Sequence, residues 1–143
     1  MSNTATSTET SAYVGTVADL YAAFGRGDVL YMLDRMSDDI SWEEGLRVTD
    51  LPWFQRRQGK QQVAEFFPAV AEGVTLSTFE PQMLTGDGAT VVAVLRIAGS
   101  LNSTGKRVEE DLWVHLWTFD EDGKVASFRH IGDLAREEMA FKP

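Results

Sequence analysis

Residues Gly105–Leu134 read GKRVEEDLWVHLWTFDEDGKVASFRHIGDL. Two strand-like runs, Val108–Phe119 and Lys124–Ile131, flank the turn Asp120-Glu121-Asp122-Gly123. The first run is rich in β-branched and aromatic residues and Asp-Gly closes the turn, so the stretch reads as a β-hairpin. Strict alternation puts Asp111, Trp113, His115, Trp117 and Phe119 on one face, and Leu112, Val114, Leu116 and Thr118 on the other. Both faces are substantially apolar, so both need cover: one from helices of the same chain, the other from a second subunit.

Both histidines of the protein, His115 and His130, lie in this hairpin. The turn decides which way His130 faces. A two-residue turn at Glu121-Asp122 sets His130 opposite Trp113. A three-residue turn with Gly123 as a bulge turns Arg129 to that face instead.

Upstream of the hairpin, Val74–Leu84 and Ala89–Leu101 read as two long strands separated by Gly86-Asp87-Gly88. Pro81 marks the first as an edge strand or the site of a bulge. Further back, Val14, Val17, Ala18, Tyr21 and Phe24 recur at helical spacing after Ser11, a candidate N-cap, and Gly25-Arg26-Gly27 ends that helix. Asp28 caps a second, short helix with Val29, Leu33 and Met36 inward. Ile40-Ser41-Trp42 reads as a short strand. Residues 43–58 are irregular, with Pro52, Trp53 and Phe54 in the middle: either a binding loop or aromatics folded back on the core. Gly59 opens a third helix carrying Val63, Phe66, Phe67 and Val70, and Pro68 inside it predicts a kink. A short helix, Asp133–Met139, closes the chain with Asp133 as its cap. Helices come first and antiparallel strands after, in the order ααβαββββα, which is α+β. Residues 1–11, Ser/Thr-rich and without apolar anchors, read as a disordered tail.

The chain has 143 residues, 43% hydrophobic and 24% charged, enough for one domain with a real core. No apolar run is long enough to span a bilayer, and the N-terminus lacks the pattern of a secretory signal. There are no cysteines, which excludes disulfides and thiolate chemistry. A cytoplasmic location is the expectation. The net charge of -9 gives no basic footprint for nucleic acid and disfavours an anionic membrane surface. No His spacing typical of a metal site and no phosphate-cradling glycine motif is present.

Several short motifs occur in a characteristic order: Gly27-Asp28 between helices, Trp42 on the first strand, Leu51-Pro52-Trp53, Arg56 to Lys60 as Arg-x-x-Gly-Lys, and Ala64-Glu65-Phe66-Phe67. Trp113–Phe119, Asp122-Gly123-Lys124 and Phe128–Asp133 follow. In this order the chain, over about residues 12–140, resembles the SnoaL-like branch of the NTF2-like superfamily. The resemblance implies a cone: a curved, mostly antiparallel sheet wrapped around the N-terminal helices, with a pocket at its concave face. It also implies a homodimer through the convex face and cofactor-independent chemistry of the isomerase, cyclase or dehydratase type. No cofactor or metal is expected. Superfamily members catalyse unrelated reactions or only bind ligands, so the fold leaves the reaction open.

The expected ligand is a small hydrophobic carbonyl or polycyclic compound. His130 is the candidate acid or base, because imidazole titrates near neutral pH, with His115 its partner and Asp111 a candidate to orient an imidazole or act as a base. In the epoxide-hydrolase members an Asp stands where His130 stands here, a departure that argues against that chemistry. Tyr21, Trp42, Trp53, Phe54, Trp113, Trp117 and Phe128 are the expected walls. Arg96 or Tyr21 would polarise an oxygen, or Arg96 would instead pair with Asp111 or Glu109. Glu43-Glu44 and Glu109-Glu110 read as solvated charge at the rim. A non-catalytic binding protein with the same pocket is the competing reading, and a protein-interaction module the third.

Overall fold

The structure, a computed structural model, describes residues 3–143, with side chains from Ala12 onward. The expected tail, residues 1–11, therefore lies outside the fully described residues. Helix α1 (Asn3–Gly25) and the short α2 (Val29–Asp34) come first, then strands β1 (Met36–Trp42) and β2 (Arg57–Gln58). Helices α3 (Lys60–Ala64) and α4 (Phe66–Gly73) lead into strands β3 (Val74–Asp87), β4 (Thr90–Leu101), β5 (Arg107–Phe119) and β6 (Val125–Ile131). Helix α5 (Leu134–Phe141) closes the chain. One six-stranded sheet has the order β2-β1-β6-β5-β4-β3. Every neighbouring pair is antiparallel except β1 with β6. The class is α+β, as expected.

Several local expectations hold for the reasons that suggested them. The Asp28 side chain accepts from the Tyr31 N–H and the Asp133 side chain from the Arg136 N–H, each capping its helix. β3 is an edge strand, and its pairing with β4 shifts between Pro81 and Met83, where proline lacks a ladder donor. Two details differ. Met36 opens β1 instead of closing α2, and the third helix is two pieces. The break falls at Glu65, one turn before Pro68, where the Ala64 carbonyl loses its acceptor role because Pro68 has no N–H.

The hairpin carries the register that matters. Asp120 and Lys124 pair across a tight loop in which Gly123 has φ 77°. Continued unchanged, that loop would turn Arg129 inward. A bulge at Ala126 shifts the ladder by one, so that His115 pairs with His130 and Trp117 with Phe128. His130 thus faces the same side as Trp113, but its cross-strand partner is His115.

A second bulge overturns the expected face of Asp111. Leu95 pairs with Trp113 and Ile97 with Glu110, so Asp111 and Leu112 together oppose Arg96. The alternation is broken there. Glu110 takes the inward position at 9% exposure, and Asp111 turns outward.

The core lies between the sheet and α1, α3 and α4, with Val17, Leu20, Ile40, Leu51, Val63, Val91 and Leu95 fully buried. Two tryptophans lie flat over glycines. A Cβ at Gly132 would come 2.2 Å from the Trp113 ring, and one at Gly73 2.2 Å from Trp53. These glycines are required for close approach.

Candidate active site

The concave side of the sheet encloses a cavity of about 110 Å³. Its walls include Tyr21 from α1, Trp42 and Glu43 at the end of β1, and Trp53 and Phe54 from the loop. Trp113, His115 and Trp117 of β5, Phe128 and His130 of β6, and Glu137 of α5 complete the inner wall. A wider groove of about 910 Å³ between α1, α4 and β3 shares Tyr21, Phe24, Phe67 and Phe79 with it and forms the mouth.

The loop aromatics fold inward. Trp53 and Phe54 are buried, and the loop is held from beneath by Arg57, whose guanidinium donates to the carbonyls of Pro52, Trp53 and Gln55. Arg47 and Thr49 both donate to Glu138 of α5, tying the loop to the last helix. The two readings of this loop merge: its aromatics are core and cavity wall at once.

The first polar group is a buried pair. Glu43 accepts from the His130 backbone N–H at 2.9 Å and also from the His130 Nδ1–H. Both carboxyl oxygens are engaged, which holds the ring proton on Nδ1 and leaves Nε2 as an acceptor. Nε2 has no hydrogen-bond partner among the described residues, and His130 lines the cavity. Phe54 stacks on the imidazole at 4.0 Å and Trp113 lies nearly parallel at 4.9 Å. Glu43 reaches His130 because its own backbone is left-handed, with φ 59°, at the start of a chain reversal through Gly45. A residue of this size in that region is uncommon and strained. Glu43 is 1% exposed, so the expectation of a solvated rim charge is corrected.

The second polar group is a chain of four side chains. The Trp113 indole N–H donates to His115 Nε2 at 3.2 Å, and the Trp117 indole N–H donates to the Tyr21 hydroxyl at 3.0 Å. His115 Nδ1 lies 2.8 Å from the same hydroxyl. An indole N–H only donates, so Nε2 is the acceptor and the ring proton sits on Nδ1, which donates to Tyr21. With two donors converging on it, the Tyr21 oxygen has its own O–H left for a group in the cavity. Burial, and then the neighbouring His130, push His115 down to about 3. Burial also raises the Tyr21 hydroxyl, opposed by the Trp117 hydrogen bond. His115 is therefore neutral with both nitrogens occupied. It positions Tyr21, and His130 carries the free imidazole lone pair.

The third group is acidic. Glu137 is 8% exposed and burial pushes it up to about 7. The Trp53 indole lies near enough to oppose that rise without forming a hydrogen bond of normal geometry, and Glu110 and Asp133 add to it. Glu110 is raised as well, first by burial, with Arg136 opposing.

Nine of the expected residues therefore meet at one cavity: Tyr21, Trp42, Trp53, Phe54, Trp113, His115, Trp117, Phe128 and His130. Asp111 and Arg96 do not. They pair with each other at 3.6 Å on the outer surface, with side chains 87% and 62% exposed, because of the bulge opposite Arg96. Three cavity carboxyls were missed: Glu43, Glu110 and Glu137. A left-handed backbone, a bulge and a helix docking brought them inward, and periodicity carries no signal for any of these. Among the described residues no three His, Asp or Glu side chains are placed to hold a metal ion.

The fold and cavity define an α+β cone protein with an aromatic internal site. Residues 17–128 match the model of the SnoaL-like domain, and the chain belongs to the SnoaL-like family. An NTF2-like protein from Burkholderia xenovorans LB400 superposes with a TM-score of 0.82 at 29% identity, over 93% of this chain and 98% of that one. One from Burkholderia thailandensis E264 gives 0.78 at 27%, over 92% and 98%. The epoxide hydrolase/cyclase-like enzyme SalBIII, with a role in pyran ring formation in the polyether salinomycin, shares the fold: TM-score 0.68 at 22%, over 88% and 94%. A search of curated proteins found no match. No helix among the described residues is long and apolar enough to cross a membrane.

Proposed function

We propose that the cavity binds a small, mostly apolar molecule carrying a carbonyl or hydroxyl oxygen, and that His130 performs cofactor-independent acid–base chemistry on it. The observation that carries this reading is the His130 ring, held by Glu43 with Nε2 turned to the aromatic cavity. An oriented, otherwise unpartnered imidazole nitrogen is the group needed to abstract a proton next to a polarised oxygen. Tyr21 supplies the complementary donor: its O–H is left over by Trp117 and His115, and it would hold the oxygen on which charge develops. His130 then returns the proton: to a second carbon in an isomerisation, to the departing hydroxyl, which leaves as water, in a dehydration, or to the alkoxide formed when the carbanion closes on a carbonyl in a cyclisation. The inner chamber is of the order of a cavity that holds one benzene ring. The groove at the mouth receives the rest of a larger, polycyclic ligand.

The test is 15N NMR of both imidazoles during addition of a panel of cyclic ketones, followed by turnover assays on the compounds that bind. His130 Nε2 is expected to shift on binding while His115 keeps the pattern of a neutral ring. Replacing His130 with Ala is expected to lower turnover on the order of 10²–10⁴-fold. Undiminished turnover in that variant would remove His130 from the chemistry. Binding without turnover of any compound would leave a ligand-binding protein.

We also propose that a second copy covers the convex face of the sheet. Met83, Val94, Val114 and Ile131 pair in series across β3, β4, β5 and β6 on the side away from the cavity. Met83 and Ile131 are more than half exposed and neighbouring Leu112 is 74% exposed. A contiguous apolar row of this kind marks an interface. Sedimentation velocity is expected to give a dimer that Val114→Lys converts to monomer; a monomeric wild type would refute the interface.

A further inference from the structure

Among the described residues the Asp, Glu, Lys and Arg side chains that line the cavity are all acidic: Glu43, Glu110 and Glu137 are there, and no Lys or Arg is. Glu43 spends both its oxygens on His130. The other two carboxyls have no such partner. The Glu137 carboxyl is 8% exposed and lines the cavity, and the one donor near it, the Trp53 indole N–H, does not reach it with normal hydrogen-bond geometry. Glu110 is 9% exposed, and its buried Oε1 has no hydrogen bond. The nearest cation, Arg136, lies 3.6 Å from that oxygen, is half exposed, and also leans on Asp133 and the Glu109 carbonyl. Two neighbouring buried carboxyls among aromatic walls are costly unless something compensates them.

We propose that the α5 end of the cavity, between Glu110 and Glu137 and beside Trp53, is a subsite for the protonated amine of an arylalkylamine-type ligand or substrate. This rests on the reading of the cavity as a ligand site. An ammonium group supplies the donors that both carboxyls lack and offsets their mutual repulsion. The aromatic walls suit the same charge, since a cation over an aromatic face is attracted to it. The placement divides the ligand's labour. The amine anchors at Glu110 and Glu137, the apolar body lies along Trp53, Phe54 and Trp113, and the reacting carbon and oxygen fall near His130 and Tyr21. The same lining disfavours carboxylates and phosphates, which would meet three acidic side chains and, among the described lining residues, no Lys or Arg.

The experiment is calorimetric titration of the full chain at pH 7.5 with three probes of one shape: 2-phenylethylamine, 2-phenylethanol and phenylacetate. The amine is expected to bind at least about tenfold more tightly than the alcohol, and phenylacetate not at all. Glu137→Gln and Glu110→Gln are each expected to bring the amine-to-alcohol ratio towards one by weakening the amine more than the alcohol. An alcohol that binds as tightly as the amine to the wild type, or a ratio that survives both substitutions, overturns the subsite while leaving the cavity reading in place. If none of the three binds, the cavity reading falls with it. The wild-type ratio decides the matter even if a variant fails to fold, which circular dichroism would reveal.

Discussion

Replacing Glu43 with glutamine is expected to move the His130 ring proton from Nδ1 to Nε2 with the fold intact. Glu43 now accepts from two donors of the same residue, the backbone N–H and Nδ1–H. A glutamine has one oxygen and one NH₂. The backbone N–H has no alternative state, so the amide oxygen takes it, and the NH₂ faces Nδ1. The ring then accepts at Nδ1 and carries its proton at Nε2, the atom that faces the cavity. An acceptor becomes a donor without any change of shape. The 15N shifts of the imidazole read this directly, and the same tautomer in both proteins would show that Glu43 does not set it. Loss of turnover on the order of 10²–10⁴-fold is expected if His130 is the base. Glu43→Ala leaves two buried donors of His130 without an acceptor and is expected to cost about 2–5 kcal/mol in a denaturant titration. Glu43→Gly is expected to be the milder truncation by about 1 kcal/mol, because glycine adopts the left-handed backbone at this position without strain. An order reversed between these two variants would contradict the account of strain.

Stability should depend on pH through two buried groups that act in opposite senses. His115 is pushed down to about 3 by burial and by His130. Its folded value lies below the unfolded value of about 6.5, so its contribution is complete above that pH and is lost as pH falls towards 3. The interval corresponds to about 5 kcal/mol. Glu137 is pushed up to about 7, first by burial. Its folded value lies above the ordinary carboxyl range, so its contribution is complete at low pH and is lost as pH rises from about 4.5 to about 7, an interval of about 3 kcal/mol. The groups that bear on Glu137 are Glu110 from β5, Asp133 at the start of α5 and the Trp53 indole from the loop. Between pH 4.5 and 6.5 the slopes from His115 and Glu137 oppose each other. Glu137→Gln removes one of them. The difference in unfolding free energy between pH 8 and pH 4.5 is expected to be about 3 kcal/mol more favourable in the variant than in the wild type. This comparison is free of any constant effect of the substitution. A pH profile parallel to the wild type would mean that Glu137 is not buried in the way the cavity requires.

The proposed function and the amine subsite use different parts of one chamber. His130, Glu43 and Tyr21 concern proton transfer at the β5–β6 wall. Glu110 and Glu137 concern anchoring at α5. Loss of chemistry with retained amine preference would separate the two, as would the converse.

Much of the architecture was legible from residue order. The alternating Trp113, His115 and Trp117, the turn at Asp120–Gly123 and the caps at Asp28 and Asp133 are local signals. Each acts through backbone geometry that neighbours in sequence determine. Periodicity placed Trp113, His115 and Trp117 on the inner face of β5 and Tyr21 on the inner face of α1, because a side chain on the inner face of a regular element has no other place to go; it left open the loop residues Trp53 and Phe54 and the facing of His130. The sequence by itself thus determined an α+β fold with an aromatic hairpin face that carries His115, and it left His130 or Arg129 as the alternatives for the neighbouring strand.

The tertiary structure decided the chemistry around that face. A bulge at Ala126 kept His130 inward against the register of its own turn. A second bulge exchanged Asp111 for Glu110, and a left-handed residue brought Glu43 from the rim to the imidazole. The docking of α5 carried Glu137 into the chamber. Each depends on one irregular residue or one long-range contact. A one-residue slip in a strand reverses the face of everything beyond it, and the energy that selects the slip comes from packing across the whole core, which no local pattern records.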